Sequence, residues 1–497
     1  MASEANVPQC GHLRPHTAPY VFVNEQAELI HVNEQLSSVG RHIAELNTLQ
    51  STLRRRTLQL HNLLSPIHTL PIEILSYIFQ LVVTPESYDH SNASFYRECL
   101  DQALVLSSVT SQFRHIAFGT PELWNRIPLR ITKDKTIDNA SSMLQHCVAR
   151  ASSVTICVSD RLNYESGGDL HSVIETLLTS ETTRKVKAFE LYSLYHASSW
   201  MSKLDSSSFP MVESLIITCG IGTKHLSGFD FGTLNNLTQL DIDGTWRDFS
   251  LTAPPSVLYL NIYRVPQKMF LSLLYQCPNL VECSADTGRE LDGPPFTKPI
   301  ILKHLKRLHT GTMNAITRKA SLQHLQLPSL ESLHLDHFTK RRSLGIVPLC
   351  CNVSATLTSL TIHTYSIMFD HDELYQLCRV TFPKLRDLKF TTAEYFLPLA
   401  SAFRALSPRD YEYNNPRPLH LPALRSITLH SDVAEVEPRV IVHLLKNWWS
   451  DEALHLHLEF QSYSYNHQKD WTPELREELK SIVGKRQIEI IWGRDKL

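Results

Sequence analysis

Glycine is scarce in this chain, 16 among 497 residues, which argues against an architecture built on glycine-rich phosphate loops. None of the 10 cysteines forms a C-x-x-C pair, and Cys350 and Cys351 are adjacent, a poor geometry for a bridge. That usage belongs to a reducing compartment, with cysteine as a small buried apolar residue. An excess of either charge is also missing: 48 basic residues face 50 acidic ones, for a net charge of −2. No global pull toward nucleic acid or an anionic membrane is therefore expected. No apolar run approaches the roughly 18 residues that span a bilayer. Met1 to Asn24 contain no apolar core of about 7–15 residues, so no secretory signal is expected. The expected location is cytoplasmic and/or nuclear.

What remains is a globular balance, 42% hydrophobic and 20% charged, in a chain too long for one ordinary core. Residues 1–20 are polar and carry Pro8, Pro15 and Pro19; they are expected to form a disordered tail. A heptad follows. Leu29, Leu36 and Ile43 recur every seven residues, as do Val32, Val39, Leu46, Leu53 and Leu60, with Gln50 and Thr57 interrupting the seam. Proline is absent between Val21 and Ser65, so one long helix is expected over 21–64. It either folds back on its neighbour or self-associates as a coiled coil.

Ser65-Pro66 ends that helix, because proline disfavours helix in the residue before it. Next comes Leu70-Pro71-Ile72-Glu73-Ile74-Leu75-Ser76-Tyr77-Ile78-Phe79, where Pro71 suits a helix start and Glu73 its positive end. Ile74, Leu75, Ile78, Phe79 and Val82 make a stripe at helical spacing. A polar insert, Thr84 to Ser94, separates it from a second helical stretch carrying Leu106, Val109, Phe113 and Ile116 on one face. Thr120-Pro121-Glu122-Leu123-Trp124 closes the block.

Over about 60 residues, 66–127, these three blocks in order resemble an F-box of the fungal type. The long insert departs from the family pattern, as does Phe113 where the family usually has tryptophan. The resemblance implies docking of a Skp-family adaptor, and through it a cullin. Leu70, Pro71, Ile74, Leu75, Ile78, Phe79, Val109, Phe113 and Ile116 would form the contact.

From about residue 150 a unit L-x-x-L-x-L recurs. It stands at Val186/Phe189/Leu191, Val212/Leu215/Ile217, Leu237/Leu240/Ile242 and Val257/Leu260/Ile262. Further copies are Leu305/Leu308, Leu330/Leu333/Leu335, Leu357/Leu360/Ile362, Leu385/Leu388/Phe390 and Leu424/Ile427/Leu429, with a weaker one at Leu280/Cys283/Ala285. The spacing of these starts, mostly in the twenties, resembles leucine-rich repeats. One such unit cannot bury its apolar side alone, so stacking is required. The asparagine of the family pattern is missing; Gly220, Thr245, Val265, Phe338, Tyr365 and Ala393 stand there. The expected fold class is α/β: a short F-box-like helical bundle at 66–127, then an irregular leucine-rich-repeat solenoid over 150–432 with a parallel sheet on its concave face. Residues 433–497 would cap it.

Catalytic signals do not assemble. Asp230-Phe231-Gly232 has no glycine-rich loop or His-Arg-Asp beside it. His371-Asp372-Glu373 and the His455/His457 pair lack a completing ligand set. No catalytic, cofactor-binding or metal-ligating residue is expected, and no enzyme activity. Outward strand positions are more promising, because solenoids bind partners on that face. Asp241, Asp243, Tyr263, His309, His334, Asp336, His363 and His430 are the candidate target-binding residues, with four histidines in comparable strand phase. The resemblance implies the substrate-recognition subunit of an SCF-type, cullin–RING ubiquitin ligase, with an unidentified target protein. The alternative is a non-catalytic interaction scaffold, assembled through residues 21–64 and not coupled to ubiquitination.

Overall fold

The structure is a computed structural model. It describes residues 19–83, 93–131, 137–160, 180–194, 205–219, 229–244, 250–287, 299–311, 324–336, 346–364, 376–377, 380–392, 421, 423–431, 442, 455–460, 472–483, 488–492 and 495–496. The chain divides into two compact units, Met1–Leu75 and Ser76–Leu497.

The first unit is dominated by helix α1, Pro19–Leu63; the tail expected before it lies, up to residue 18, outside the described residues. The heptad positions are exposed on α1, from Leu29 (65%) through Leu36 (62%) and Ile43 (53%) to Leu60 (48%). Pro66 ends the run, and a 3-10 turn, Pro66–Thr69, follows. Helix α2 spans Ile72–Val83. Its first turn is set by Pro71, whose carbonyl accepts from Leu75 N–H at 3.1 Å.

The second unit continues with α3 (Ala93–Val109) and α4 (Ser111–Phe118). The sequence suggests one helical stretch carrying Leu106 to Ile116; the structure has two. Thr110 leaves the helical region (φ −144, ψ 166) and its hydroxyl accepts from Phe113 N–H, capping α4, the role threonine plays best at a helix start. Phe79 and Phe113 meet edge to face with centroids 5.0 Å apart, a favoured aromatic geometry. Trp124 Nε1–H donates to the Ala117 carbonyl at 2.7 Å, which satisfies its one polar atom in a buried place.

The rest is a 15-stranded sheet whose strands follow chain order. It runs through β1 (Arg126–Ile131), β2 (Val154–Asp160), β3 (Val186–Leu194) and β4 (Ser214–Cys219). Next are β6 (Gln239–Asp243), β8 (Tyr259–Val265), β9 (Glu282–Thr287), β11 (Arg307–Thr310), β13 (Ser332–Leu335), β14 (Ser359–Thr364) and β15 (Asp387–Thr392). β16 (Ser426–Ser431), β17 (His455–Phe460), β18 (Ile488–Trp492) and β19 (Asp495–Lys496) complete it. Each neighbouring pair is parallel except β18–β19. Two small parallel ladders lie outside this sheet: β5 (Phe229–Asp230) with β7 (Leu251–Thr252), and β10 (Ile300–Ile301) with β12 (Leu325–Gln326).

The L-x-x-L-x-L pattern explains the core. Leu240 and Ile242 pair in register with Leu260 and Ile262, Leu333 and Leu335 with Leu360 and Ile362, and all of them are at most 2% exposed. Alternate side chains on a strand face opposite ways, so these residues fill one side while Asp241 and Asp243 lie half-buried on the other. Helices α5 (Ile137–Arg150) and α6 (Ser180–Lys185) precede β2 and β3, and helices α7 (Gln267–Gln276) and α8 (Ile346–Val353) cross between strands and bury Phe270, Leu273, Leu349 and Cys350.

The sheet begins earlier than the repeat pattern suggests, at Arg126 rather than after residue 150. Pro128 obscures β1, yet proline is tolerated there because β1 is an edge strand. At the other end β17 and β18 continue the same parallel sheet, so the region expected as a cap prolongs the array. Within the expected cap, residues 433–454 lie outside the described residues apart from Val442. α9 (Pro473–Val483) precedes β18. No helix among the described residues is long and apolar enough to cross a membrane.

Candidate functional site

Register on the sheet's more open face aligns polar side chains into rows. One row runs Asp241, Asn261, Ser284, His309, His334, Thr361 and Lys389 across β6 to β15. A second, two residues further along each strand, includes Asp243, Tyr263 and Asp286. Where this row reaches β11 it meets Gly311, on which a Cβ would lie 2.7 Å from Asp286 Cβ; no other residue fits there without displacing the aspartate.

His309 Nε2 lies 2.6 Å from Asp336 Oδ2, and His334 Nε2 lies 2.9 Å from Asp336 Oδ1. The two rings stand 4.2 Å apart, tilted by 43°. His363 Nδ1 is 3.7 Å from Asp336 Oδ1, and Ser284 Oγ is 3.1 Å from His309 Nδ1. Burial pushes the Asp336 carboxyl up, but hydrogen bonds from His309 and His334, then the charge on those rings, outweigh it and hold the group well below the usual carboxylate range. Asp336 is therefore an anion ringed by imidazoles. The donor atoms of His309, His334 and Asp336 all lie within 4.8 Å of one another, a donor set suited to a transition-metal ion.

Of the candidate target-binding residues, the structure brings together His309, His334, Asp336 and His363. Asp241 and Asp243 sit three strands from β11, about 14 Å away at the usual strand spacing. Tyr263 is 44% exposed on β8. His430 lies on β16, and its side chain is outside the described residues, as are those of His455 and His457. Asp243 is ion-paired with Arg264 at 2.6 Å.

The row also holds a cluster the sequence reading missed. Glu190 is buried on β3, and its Oε2 accepts from Tyr192 Oη–H at 3.0 Å and from the Cys157 thiol at 3.5 Å. Burial, then the charge of Glu190, pushes the Cys157 thiol well up. Burial likewise raises Cys147 to about 11 and Cys277 and Cys283 to about 12. A thiol held protonated is a poor nucleophile, so none of these cysteines is poised for attack.

The candidate adaptor-binding residues divide by burial. Leu75, Phe79, Phe113 and Ile116 are at most 6% exposed; they hold their surroundings together and present no surface. Pro71, Ile74 (46%) and Val109 (55%) are exposed, while Leu70 and Ile78 are intermediate. Exposed apolar neighbours add to them: Ile72 in the first unit, and Tyr77, Leu81, Val82, Leu104 and Val105 in the second.

No protein-family model matches the chain, and no curated protein matches it.

Proposed function

We propose that this protein is the substrate-recognition subunit of an SCF-type, cullin–RING ubiquitin ligase. The observation that carries the reading is the Leu70-Pro71-x-Glu73-Ile74-Leu75 start of α2 followed by a run of solvent-facing apolar side chains. Tyr77, Leu81, Val82, Leu104, Val105 and Val109 are between 46% and 62% exposed, more apolar surface than a helical stretch without a partner needs to leave in water. The chain-ordered parallel ladder, with two apolar residues per strand buried, supports reading the second unit as an irregular leucine-rich-repeat solenoid. Its polar rows then hold the target protein. The protein itself makes and breaks no bond; it raises the effective concentration of the target's lysine near a ubiquitin-loaded enzyme. A cytoplasmic and/or nuclear location follows from that role.

The test is co-expression of the full-length chain with a Skp-family adaptor. A stable complex is expected, weakened by about 2–4 kcal/mol when Leu70→Ala and Pro71→Ala are combined. A chain that ignores every adaptor of the class overturns the reading.

A second reading is favoured by the heptad of α1, whose apolar seam is exposed along its length: a scaffold self-associating through residues 21–64, without a ligase. Light scattering on the full chain separates the two. Under the scaffold reading a dimer or larger species forms and reverts to monomer in Leu36→Asp/Ile43→Asp, whether or not an adaptor is present.

A further inference from the structure

We propose that His309, His334 and Asp336 bind one zinc(II) ion on the open face of the sheet, tying strands β11 and β13 together.

The chemistry of the donors points to this class of ion. Zinc takes neutral imidazole nitrogen and carboxylate oxygen in a tetrahedron, with bonds of about 2.0–2.2 Å. Such bonds put neighbouring donor atoms about 3.3–3.5 Å apart. Here His309 Nε2 lies 2.6 Å from Asp336 Oδ2 and His334 Nε2 2.9 Å from Asp336 Oδ1, both shorter than that, and the donor atoms of the three residues all lie within 4.8 Å of one another. Zinc would replace these hydrogen bonds, so the two rings must draw back from the carboxylate to that spacing. Calcium and magnesium prefer all-oxygen shells, so imidazoles around one carboxylate select against them.

The surroundings are built for the same purpose. Ser284 Oγ lies 3.1 Å from His309 Nδ1, the place for an orienting partner that a metal-bound histidine needs on its other nitrogen. When the ion takes the His309 Nε2 lone pair, the ring proton resides on Nδ1 and Ser284 accepts it. His309 and His334 are 35% and 39% exposed and Asp336 19%, so an ion can enter from solvent while the protein supplies three donors. Three protein donors leave the fourth position of the tetrahedron open to solvent. The inference stands apart from the ligase reading: the ion binds whether or not an adaptor or a target does.

The test uses the full-length chain, stripped with a chelator and titrated with cobalt(II) and with zinc(II). Cobalt should give intense tetrahedral d–d absorption saturating at one equivalent, without thiolate charge transfer, and zinc should bleach it. Zinc should also raise the melting temperature, as any ligand of the folded state alone must. Asp336→Asn and His334→Gln should abolish the cobalt signal and the zinc-dependent shift, with circular dichroism unchanged. Ser284→Ala, which removes only the orienting partner, should weaken affinity about 10–100-fold. His304→Gln, on the exposed loop before β11, should behave as the unaltered chain. A cobalt signal missing from the unaltered chain, one carrying thiolate charge transfer, or one that persists in Asp336→Asn and His334→Gln would each overturn the assignment; if the residues form only a hydrogen-bonded cluster, the first of these is what appears.

Discussion

Asp243 on β6 accepts two hydrogen-bonding contacts from Arg264 on β8, from Nη2 at 2.6 Å and from Nε at 2.8 Å. Arg264 has φ 59, the one positive φ outside glycine among the described residues. It is also the extra residue of a β-bulge, because the β8–β9 register jumps between Tyr263 and Val265. A bulge residue in the left-handed region is ordinarily glycine, and a side chain there costs about 1–2 kcal/mol. The half-exposed ion pair returns about 0–1 kcal/mol, so strain and pairing nearly offset each other.

The two contributions can be separated. Arg264→Gly loses the pair and the strain together, and its stability should stay within about 1 kcal/mol of the unaltered chain. Arg264→Ala loses the pair but keeps the strain, and should be the less stable of the two variants by about 1 kcal/mol. Chemical denaturation measures both. An alanine variant at least as stable as the glycine variant would mean that the backbone here stores no strain.

Thr310 raises a different question of packing. It occupies an inward position on β11, in register with Leu335, and is fully buried. Its Oγ1 has no hydrogen-bond partner among the described residues. An unsatisfied buried hydroxyl costs about 1–3 kcal/mol, and replacing it with an apolar group of the same shape removes that cost. Thr310→Val should therefore raise stability by about 1 kcal/mol. A loss of stability would indicate a partner for the hydroxyl, such as a buried water.

Asp241 should make stability depend on pH. Burial raises its carboxyl above the ordinary range, hydrogen bonds from Gln239 and Asn261 offset this only in part, and the charge of Glu190 adds to the rise. A carboxyl whose folded value exceeds its unfolded one binds more protons folded than unfolded between the two values, so stability falls as pH rises through that window. The window opens near the unfolded value of about 3.9 and closes above the raised folded one. Asp241→Asn cannot ionise. Its stability relative to the unaltered chain should increase across the window and then level off toward neutral pH. Parallel denaturation curves at acid and neutral pH check this, and a difference that does not change with pH would show that the folded carboxyl is not raised.

These cases show why some features were legible in the sequence and others were not. The long α1 helix and the inward pairs such as Leu240/Ile242 follow from periodicity, because burial demands apolar residues at fixed spacing. Thr310 breaks that pattern and left its repeat copy incomplete. β1 was hidden by Pro128, and two-residue strands such as β5 and β12 are too short to carry any period. The histidine phase was visible, but its convergence was not. His309, Asp336 and His363 come together only because the lengths of the intervening crossovers set the strand register. Burial divided the adaptor-binding candidates in the same way: helical spacing selects a stripe, but only packing decides which members of it face inward.

That division yields the last prediction. Val109 is 55% exposed at the end of α3, whereas Phe113 is 6% exposed and packs against Phe79. Val109→Asp should alter stability by no more than about 0.5 kcal/mol, as exposed substitutions generally do. If Val109 lies at the centre of the adaptor contact, the same change should cost about 2 kcal/mol of binding or more, because a carboxylate would be carried into an apolar interface. Phe113→Ala should do the reverse, lowering stability by about 3–5 kcal/mol through the cavity it leaves, with adaptor binding lost only in proportion to the unfolded fraction. Calorimetric titration with the adaptor, read beside thermal melts of both variants, distinguishes the two effects. Full affinity in Val109→Asp would remove the exposed end of α3 from the contact and leave the adaptor to Pro71, Ile74 and their neighbours on α2.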